Sequence, residues 1–346
     1  MRILFEVTHP AHVHCFKNII WDLRNRNHEV LIAAKDKEVT LKLLDVYKLD
    51  YKIIGVNQKG MIKKAFGLLK TDYKLYKICK IFKPDVIVGR GSPSLANLSL
   101  LINKPYIALI DTETAHLVGL LSSPFASAIC ASTSFQGKID PKKEVRFDGY
   151  KELAYLHPSR FEPDPNVLNY LNLVKGNSFV ILRFVSWGAT HDLGEHGFSD
   201  KNEVVKELEK HCAVFITSEV DLPDDLEKYR INAPPELMHH LLYYADLFIG
   251  ESATMATESA VLGTPAIFVS TSKLGSITEL ETKYNLLYTF SDVETCQKEA
   301  LDKAVEILRN KNTKKEWQRK RKNLLDDKID VTEFMVKFIE NFELTH

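Results

Sequence analysis

Short apolar runs alternate with longer, helix-like stretches along almost the whole chain. Runs such as RILFEV (2–7), PDVIVGR (84–90) and TPAIFVS (264–270) are rich in Val, Ile, Leu and Phe and lack strict polar alternation. Strands of this kind are covered on both faces, as in parallel sheets whose connections are helices. We therefore expect an α/β protein built from doubly wound parallel sheets.

The alternation is interrupted once, near the middle of the chain. The stretch GYKELAYLHPSRFEPDPNVLNYL (149–171) contains three prolines and reads as an irregular connection, after which strands resume at SFVILRFVS (178–186). A length of 346 residues also suits two domains better than one. We predict a first domain over 1–160 and a second that begins at 161.

Composition excludes several classes of function. The formal net charge is zero, whereas a dedicated nucleic-acid binder needs excess basic charge. The five cysteines are scattered without a C-x-x-C pair, so we expect reduced thiols, no disulfide framework and no metal site. MRILFEVTHP at the start reads as a strand rather than a signal peptide, which favours a cytoplasmic protein.

The stretch GESATMATESAVLGTPAIF (250–268) places one carboxylate in a helix that otherwise suits burial. Ser252, Ala253 and Thr254 begin this helix, and small residues there leave backbone N–H groups open to a phosphate, which the helix dipole also favours. Glu258 lies six residues after Ser252, at a depth suited to accepting ribose hydroxyls. The alternative is an incidental glutamate on a surface helix.

Two loops after first-domain strands carry histidine or arginine. THPAHVH (8–14) brings His9 and His12 to a helix start, where they could bind an anion, act as a base or be ordinary loop residues. We consider His12 the first choice as base. GRGSPS (89–94) reads as a glycine-rich turn in which Arg90 suits an anionic or hydroxylated ligand.

IALIDTETAH (107–116) ends a buried strand with two acids. Asp111 and Glu113 are two residues apart, so an extended backbone places both carboxylates on one face, as proton transfer to a sugar requires. The alternative is that Asp111 or Thr112 caps the next helix. In the second domain, Arg183 follows the same logic at a strand end and either neutralises a diphosphate or forms a surface ion pair.

The 250–268 stretch resembles the donor-nucleotide motif of GT-B-fold enzymes, namely hydrolysing UDP-N-acetylglucosamine 2-epimerases and glycosyltransferases of the lipid-linked peptidoglycan type. Their motif runs Asp-Ser-Gly-Gly, a glutamate, then Leu-Gly-x-Pro. This chain has matching residues at Ser252, Glu258, Leu262, Gly263 and Pro265, and replaces the glycine pair with Ala253-Thr254. With THPAHVH and GYKELAYLHP added, the whole chain is similar to the prokaryotic family called domain of unknown function 354, grouped with the GT-B superfamily.

The resemblance implies two Rossmann-like domains that face each other across a cleft. Residues 1–160 would bind the acceptor and supply catalysis, 161–315 would bind the nucleotide-sugar, and helices in 316–346 would pack back on the first domain. A transferase would use His12 or Asp111 as base. An epimerase would use Glu113 and His191 for proton transfer, although the Gly-Asp-Thr motif and a second glutamate of the epimerases have no counterpart here.

Three functions follow from this resemblance. The first is a metal-independent glycosyltransferase that uses a nucleoside diphosphate-sugar, in the first place a UDP-sugar, for cell-surface glycan or polysaccharide synthesis. The second is a UDP-sugar 2-epimerase, and the third is a non-catalytic relative that binds a nucleotide or glycan. We expect no cofactor besides the sugar nucleotide, a glycan or lipid-linked acceptor, and a homodimer.

The segment 59–83 is strongly basic. It holds eight lysines against Asp72 alone, and Ile62, Phe66, Leu69, Tyr73 and Tyr76 fall on one helical face. Such a helix either rests on anionic lipid, here at the inner membrane face, or packs its apolar stripe on the sheet and solvates its lysines.

Overall fold

Two parallel sheets organise the chain, one in each of two units. A computed structural model describes residues 1–56, 61–111, 113, 123–185, 197–218 and 221–342, with backbone alone at 61–66 and 123. The first unit comprises Met1–Arg160 and Ile329–His346, and the second comprises Phe161–Lys328. The predicted cleft between the domains stays a prediction.

The first unit contains a sheet whose seven strands, among the described residues, pair in parallel in the order β3-β2-β1-β4-β5-β6-β7. The strands are β1 (Arg2–Val7), β2 (Glu29–Asp36), β3 (Tyr51–Val56), β4 (Val86–Gly89), β5 (Tyr106–Ile110), β6 (Ala128–Ser132) and β7 (Glu144–Phe147). The helices between and after them are α1 (Pro10–Asn25), α2 (Thr40–Val46), α3 (Met61–Phe82), α4 (Pro93–Ile102) and α5 (Leu153–Leu156).

Burial explains why these runs form strands. Ile3, Leu4 and Phe5 of β1 have no exposed surface, so the strand is covered on both faces as the unbroken apolar pattern predicts. Strand β7 was not predicted, because EVRF is short, lies at the sheet edge and is half charged. Its Arg146 donates to Glu144 Oε1 at 2.6 Å, which pairs the two charges within the strand itself.

The second unit contains a parallel sheet in the order β12-β11-β10-β8-β9 within the part of the chain described. Its strands are β8 (Phe179–Phe184), β9 (Ala213–Ser218), β10 (Leu247–Gly250), β11 (Ala266–Val269) and β12 (Leu287–Phe290). Its helices are α6 (Lys201–Glu209), α7 (Met238–Tyr244), α8 (Ala253–Leu262), α9 (Gly275–Thr282), α10 (Cys296–Arg309) and α11 (Thr313–Asp327). Short 3₁₀ turns occupy Ser123–Phe125, Pro165–Leu171, Glu227–Tyr229 and Pro235–Leu237.

The C-terminal helices differ from the expectation that 316–346 as a whole packs on the first domain. Helix α11 belongs to the second unit, where Arg321 Nε donates to Val261 O at 2.8 Å and Gln318 Nε2 to Gly263 O at 3.2 Å. The last carbonyls of a helix receive no N–H from within the helix, and these two donors supply hydrogen bonds to them at the end of α8. The last helix, α12 (Val331–Phe342), does belong to the first unit, and Thr332 Oγ1 donates to Ala154 O at 2.7 Å.

Both strand orders reverse direction at one point. In the first sheet the reversal lies between β1 and β4, and in the second between β8 and β10. Ligands of doubly wound sheets bind beyond the carboxyl ends of the strands at this switch point. The residues that follow these four strands therefore occupy the expected ligand positions. Within the described ranges, the helices lack the combination of length and apolarity needed to cross a bilayer.

Candidate functional site

The second-sheet edge, defined as the carboxyl ends of β8 and β10 with the start of α8, opens on a capped helix N-terminus. Ser252 is the N-cap, and its Oγ accepts the N–H of Met255 at 3.4 Å. Ala253 and Thr254 form the first turn and are half-buried. The first N–H groups of a helix have no intrahelical acceptor, and the dipole favours negative charge there. This edge has the chemistry of an anion site.

Glu258 is buried inside α8 and has a defined partner. Its Oε1 lies 3.0 Å from Nε2 of His239 on α7, and the two side chains are only 7% and 6% exposed. The reading of Glu258 as an incidental residue on a surface helix is therefore wrong. Sequence inspection did not single out His239, because the two positions are 19 residues apart and on different helices.

Glu251, directly after β10, holds two backbone N–H groups at this edge. Its carboxylate is buried and accepts the backbone N–H of Val185 at 2.9 Å and of Phe198 at 2.8 Å. One side chain thus ties Val185, directly after β8, to Phe198. A Cβ on Gly197 would collide with the same carboxylate, which explains the glycine. His191 lies outside the described residues.

Arg183 is the last residue but one of β8 and pairs with Thr217 of the neighbouring strand β9. Its Nη1 donates to Oγ1 of Thr217 on β9 at 2.9 Å. The hydrogen bond holds the guanidinium against β9. The residue thus stands on the predicted edge, and its role toward a diphosphate stays a prediction.

The first-sheet edge, defined as the carboxyl ends of β1, β4, β5 and β7, holds a cluster of paired charges. Arg90 follows β4, Asp111 follows β5 and Lys151 follows β7. Arg90 Nη2 and Lys151 Nζ both donate to the Asp111 carboxylate, and Lys151 also lies 3.5 Å from Glu152. Sequence inspection identified Arg90 and Asp111 but missed Lys151, which nothing in its local sequence distinguishes.

These contacts decide the charge of Asp111. Burial alone would raise its pKa, but Arg90 and Lys151 outweigh burial and hold the pKa well below its usual range. A carboxylate with so low a pKa is a poor proton acceptor. Asp111 therefore anchors two cations, and this geometry argues against the role of base. Glu113 Oε1 accepts the N–H of Gln136 at 3.1 Å, and the pairing of Glu113 with Asp111 stays a prediction.

His9 and His12 occupy the start of α1, at the same edge. His9 is the N-cap, and its Nδ1 accepts the N–H of Ala11 at 3.2 Å. His12 Nδ1 lies 3.4 Å from the N–H of Thr8 and 3.5 Å from its Oγ1, so this nitrogen has both a donor and an acceptor available. Burial and the cation of Arg90 lower the pKa of His12 well below 6.5. The ring is therefore neutral at neutral pH.

A buried carboxyl that sequence inspection missed supports the turn that carries Arg90. Glu6 Oε1 accepts from Ser92 Oγ at 3.0 Å, and burial raises the pKa of Glu6 to about 6. Ser92 in turn caps α4 and donates its N–H to Tyr106 Oη at 2.9 Å. Gly91 has φ of +70°, which the tight turn requires and which other residues rarely adopt.

Two buried polar atoms of this turn have no hydrogen-bond partner among the described residues. They are Nη1 of Arg90, whose side chain is 8% exposed, and Oγ of Ser94. Buried donors without acceptors are rare in native proteins and cost free energy. The pair marks this turn as a place where a ligand acceptor atom would be favourable. Among all the residues that the structure describes, no group of three His, Cys, Asp or Glu side chains is placed to hold a metal ion.

The family described as "Protein of unknown function (DUF354)" matches residues 1–341. The chain belongs to this family. The DUF354 chain is 25% identical over 282 residues to an uncharacterized protein of Methanocaldococcus jannaschii, covering 77% of this chain and 81% of that protein. It is also 26% identical over 275 residues to a UDP-N-acetylglucosamine–N-acetylmuramyl-(pentapeptide) pyrophosphoryl-undecaprenol N-acetylglucosamine transferase of Blochmanniella floridana, covering 71% of each.

The fold of this DUF354 protein is shared with solved structures of low sequence identity. A UDP-GlcNAc 2-epimerase from Neisseria meningitidis, solved with UDP-GlcNAc bound, superimposes with a TM-score of 0.67 at 12% identity over 100% of both chains. Together with the two sheet orders, this match confirms the predicted GT-B-like fold of two Rossmann-like domains.

Proposed function

We propose that this DUF354 protein is a glycosyltransferase that takes its sugar from a nucleoside diphosphate-sugar, in the first place a UDP-sugar, for cell-surface glycan or polysaccharide synthesis. One observation carries the proposal. The switch point of the second sheet opens on the Ser252-capped start of α8, with the buried Glu258 further along the same helix. The 26% identity to a UDP-N-acetylglucosamine-dependent transferase supports transfer as the reaction.

The donor would bind along α8. The diphosphate would accept hydrogen bonds from the backbone N–H groups of Ala253 and Thr254 and from Ser252, and Arg183 would balance its charge. Glu258 would accept ribose hydroxyls, because a carboxylate has lone pairs for more than one donor. His239, at 3.0 Å from Oε1, would act as a positioning residue that holds this carboxylate in one orientation.

The acceptor would bind at the first-sheet edge. Arg90 Nη1 would donate to an acceptor oxygen, while Asp111 and Lys151 keep the guanidinium in place. His12 would accept the proton of the attacking hydroxyl on its imidazole, whose Nδ1 lies beside Thr8. Geometry favours His12 for this role, because its ring lies at the start of α1, whereas Arg90 and Lys151 take both oxygens of the Asp111 carboxylate.

Titration calorimetry of UDP, with GDP, ADP and TDP as comparators, tests the donor site. We expect micromolar binding of UDP to the wild type and at least a tenfold weaker affinity for Glu258→Gln, because the amide accepts fewer ribose hydroxyls. Glu299→Gln, an exposed glutamate of α10 in the same unit, is the matched control. Equal binding by wild type and Glu258→Gln, or binding of no nucleotide, would refute the donor site.

The reaction is tested by NMR of UDP-N-acetylglucosamine with and without an acceptor extract. A transferase releases UDP in step with acceptor consumption, and His12→Gln should lower this rate at least a hundredfold. Formation of an epimer without any acceptor would instead establish the 2-epimerase. Nucleotide binding with neither product would identify a non-catalytic binder.

A further inference from the structure

Large apolar side chains are exposed to an unusual degree on two neighbouring helices of the first unit. Leu69, Tyr73 and Ile81 of α3 are 66%, 58% and 86% exposed. Leu100 and Leu101 of α4 are 60% and 64% exposed. We call these five residues the α3–α4 face. Exposed apolar residues scattered singly need no explanation, but a group on packed helices marks an interaction surface.

Helices α3 and α4 pack along each other. Asn97 Nδ2 of α4 donates to Asp72 Oδ2 of α3 at 2.8 Å and joins the helices on this side. The predicted apolar stripe of α3 is divided. Leu69 and Tyr73 are exposed, whereas Tyr76 is partly buried against the core, which Leu75 and Cys79 fill.

Positive charge surrounds the face. Asp72 is the one acid of α3, and its carboxylate bonds Asn97. Lys77 Nζ lies 4.6 Å from the Tyr73 ring centroid, so the methylene chain of this lysine runs along the apolar surface. The exposed lysines of the two helices and their ends are Lys70, Lys77, Lys80, Lys83 and Lys104.

We propose that the α3–α4 face docks on the surface of an anionic lipid bilayer. A helix that lies in the interface buries apolar side chains among the acyl chains and leaves its lysines at the level of the anionic headgroups. Leu69, Leu100 and Leu101 favour this partner over a nucleic acid, since RNA and DNA are bound by stacking aromatics and phosphate contacts rather than by exposed aliphatic residues. The inference stands independently of the proposed transferase activity.

Co-sedimentation with vesicles tests it. The full-length protein is mixed with vesicles of phosphatidylcholine alone or with added phosphatidylglycerol. We expect strong binding only to the anionic vesicles, weakened by high salt. The triple variant Leu69→Ser/Leu100→Ser/Leu101→Ser should bind at least tenfold more weakly, because it removes apolar insertion. Lys70→Gln/Lys77→Gln/Lys80→Gln should lose a similar factor through charge.

Matched controls isolate the face. Tyr170→Ser/Val174→Ser removes two apolar side chains that are 49% and 69% exposed in the second unit, and should bind vesicles as the wild type does. Because every substituted side chain is exposed, all variants should keep the wild-type urea midpoint and the wild-type affinity for UDP. A variant that loses vesicle binding but keeps the wild-type affinity for UDP shows that this surface is separate from the donor site.

Three results would overturn the proposal. In the first, the wild type and both triple variants bind anionic vesicles equally well. In the second, the wild type binds neutral and anionic vesicles equally well, and in the third it binds no vesicles. Competition by polyuridylate that abolishes binding to the vesicles at constant ionic strength would point to a nucleic-acid surface instead.

Discussion

The first-sheet edge and the second-sheet edge occupy the same position in two sheets of the same type, yet they present different chemistry. The second displays backbone N–H groups at the start of α8, with Glu258 and His239 paired behind them. The first displays charged side chains, with Asp111 bonded to Arg90 and Lys151. The same sheet topology thus supports a second-sheet edge suited to binding an anion and a first-sheet edge whose buried charges neutralise one another.

This difference predicts where each edge is sensitive. The start of α8 offers backbone N–H groups, so side-chain substitutions there should change nucleotide binding more than stability. The buried Glu251 beside it is held by hydrogen bonds, so its substitution should lower stability. Buried charges are costly without their partners, so substitutions at the first edge should change stability more than binding.

Asp111→Asn should destabilise the first unit most. It removes the charge that neutralises two cations, Arg90 and Lys151, whose side chains are 8% and 12% exposed. We expect the free energy of unfolding to fall by about 3 kcal/mol, as in other broken buried ion pairs. Urea denaturation measures it, with Glu113→Gln as the control at less than about 1 kcal/mol. A loss below that of the control would show that the cluster is solvated.

A double-mutant cycle with Lys151→Gln sharpens the test. If Asp111 and Lys151 act on each other, the double variant should be less destabilised than the sum of the single variants by about 1 to 3 kcal/mol. Additive losses would mean that Arg90 alone carries the interaction with Asp111.

Glu251→Gln tests the clamp at the second-sheet edge. The amide keeps one acceptor oxygen and turns its NH₂ toward the N–H of Val185 or Phe198, which leaves a buried donor unsatisfied. We expect a loss of about 2 kcal/mol in urea denaturation. Asp224→Asn, on an exposed position of the same unit, should change stability by less than about 0.5 kcal/mol. Equal midpoints for both variants would contradict the clamp.

The sequence predicts the two sheets and the second edge far better than the first edge. Apolar runs reveal their strands because burial on both faces leaves a continuous pattern, and Ser252 and Glu258 lie on one helix, so their spacing is visible. Lys151 and Glu251 act through partners brought near by the fold, 40 residues away at Asp111 and 66 away at Val185. No local pattern encodes such pairs.

Glu6→Gln tests the buried carboxyl beneath the Arg90 turn by its pH dependence. The pKa of Glu6 is raised from 4.5 to about 6, so the folded protein holds this proton more tightly than the unfolded chain. Stability from this group is therefore present below pH 4.5 and is lost as the pH rises to about 6, by about 2 kcal/mol. The introduced amide would still accept the Ser92 hydrogen bond, and because an amide does not titrate, the variant's stability should not fall over this pH range.

We expect the difference in unfolding free energy between Glu6→Gln and wild type to grow in favour of the variant by about 2 kcal/mol from pH 4.5 to pH 7. Urea denaturation across this range measures it. Glu29→Gln, at an exposed position of β2, is the control and should show a far smaller change. A difference that stays constant with pH would mean that Glu6 is solvated through the turn.

Ser252→Ala should have the smallest effect on stability and a separate effect on binding. The loss of its N-cap bond to Met255 N–H costs about 1 kcal/mol, whereas Ser252→Asn keeps a capping oxygen and should stay within a few tenths of wild type. If Ser252 also contacts the diphosphate, both variants should bind UDP several-fold more weakly. Asp200→Ala removes the cap of α6, lowers stability by a similar amount and should leave UDP affinity unchanged. If Ser252→Asn binds UDP as tightly as the wild type, Ser252 acts only as a helix cap. The phosphates would then be bound by the backbone N–H groups of Ala253 and Thr254.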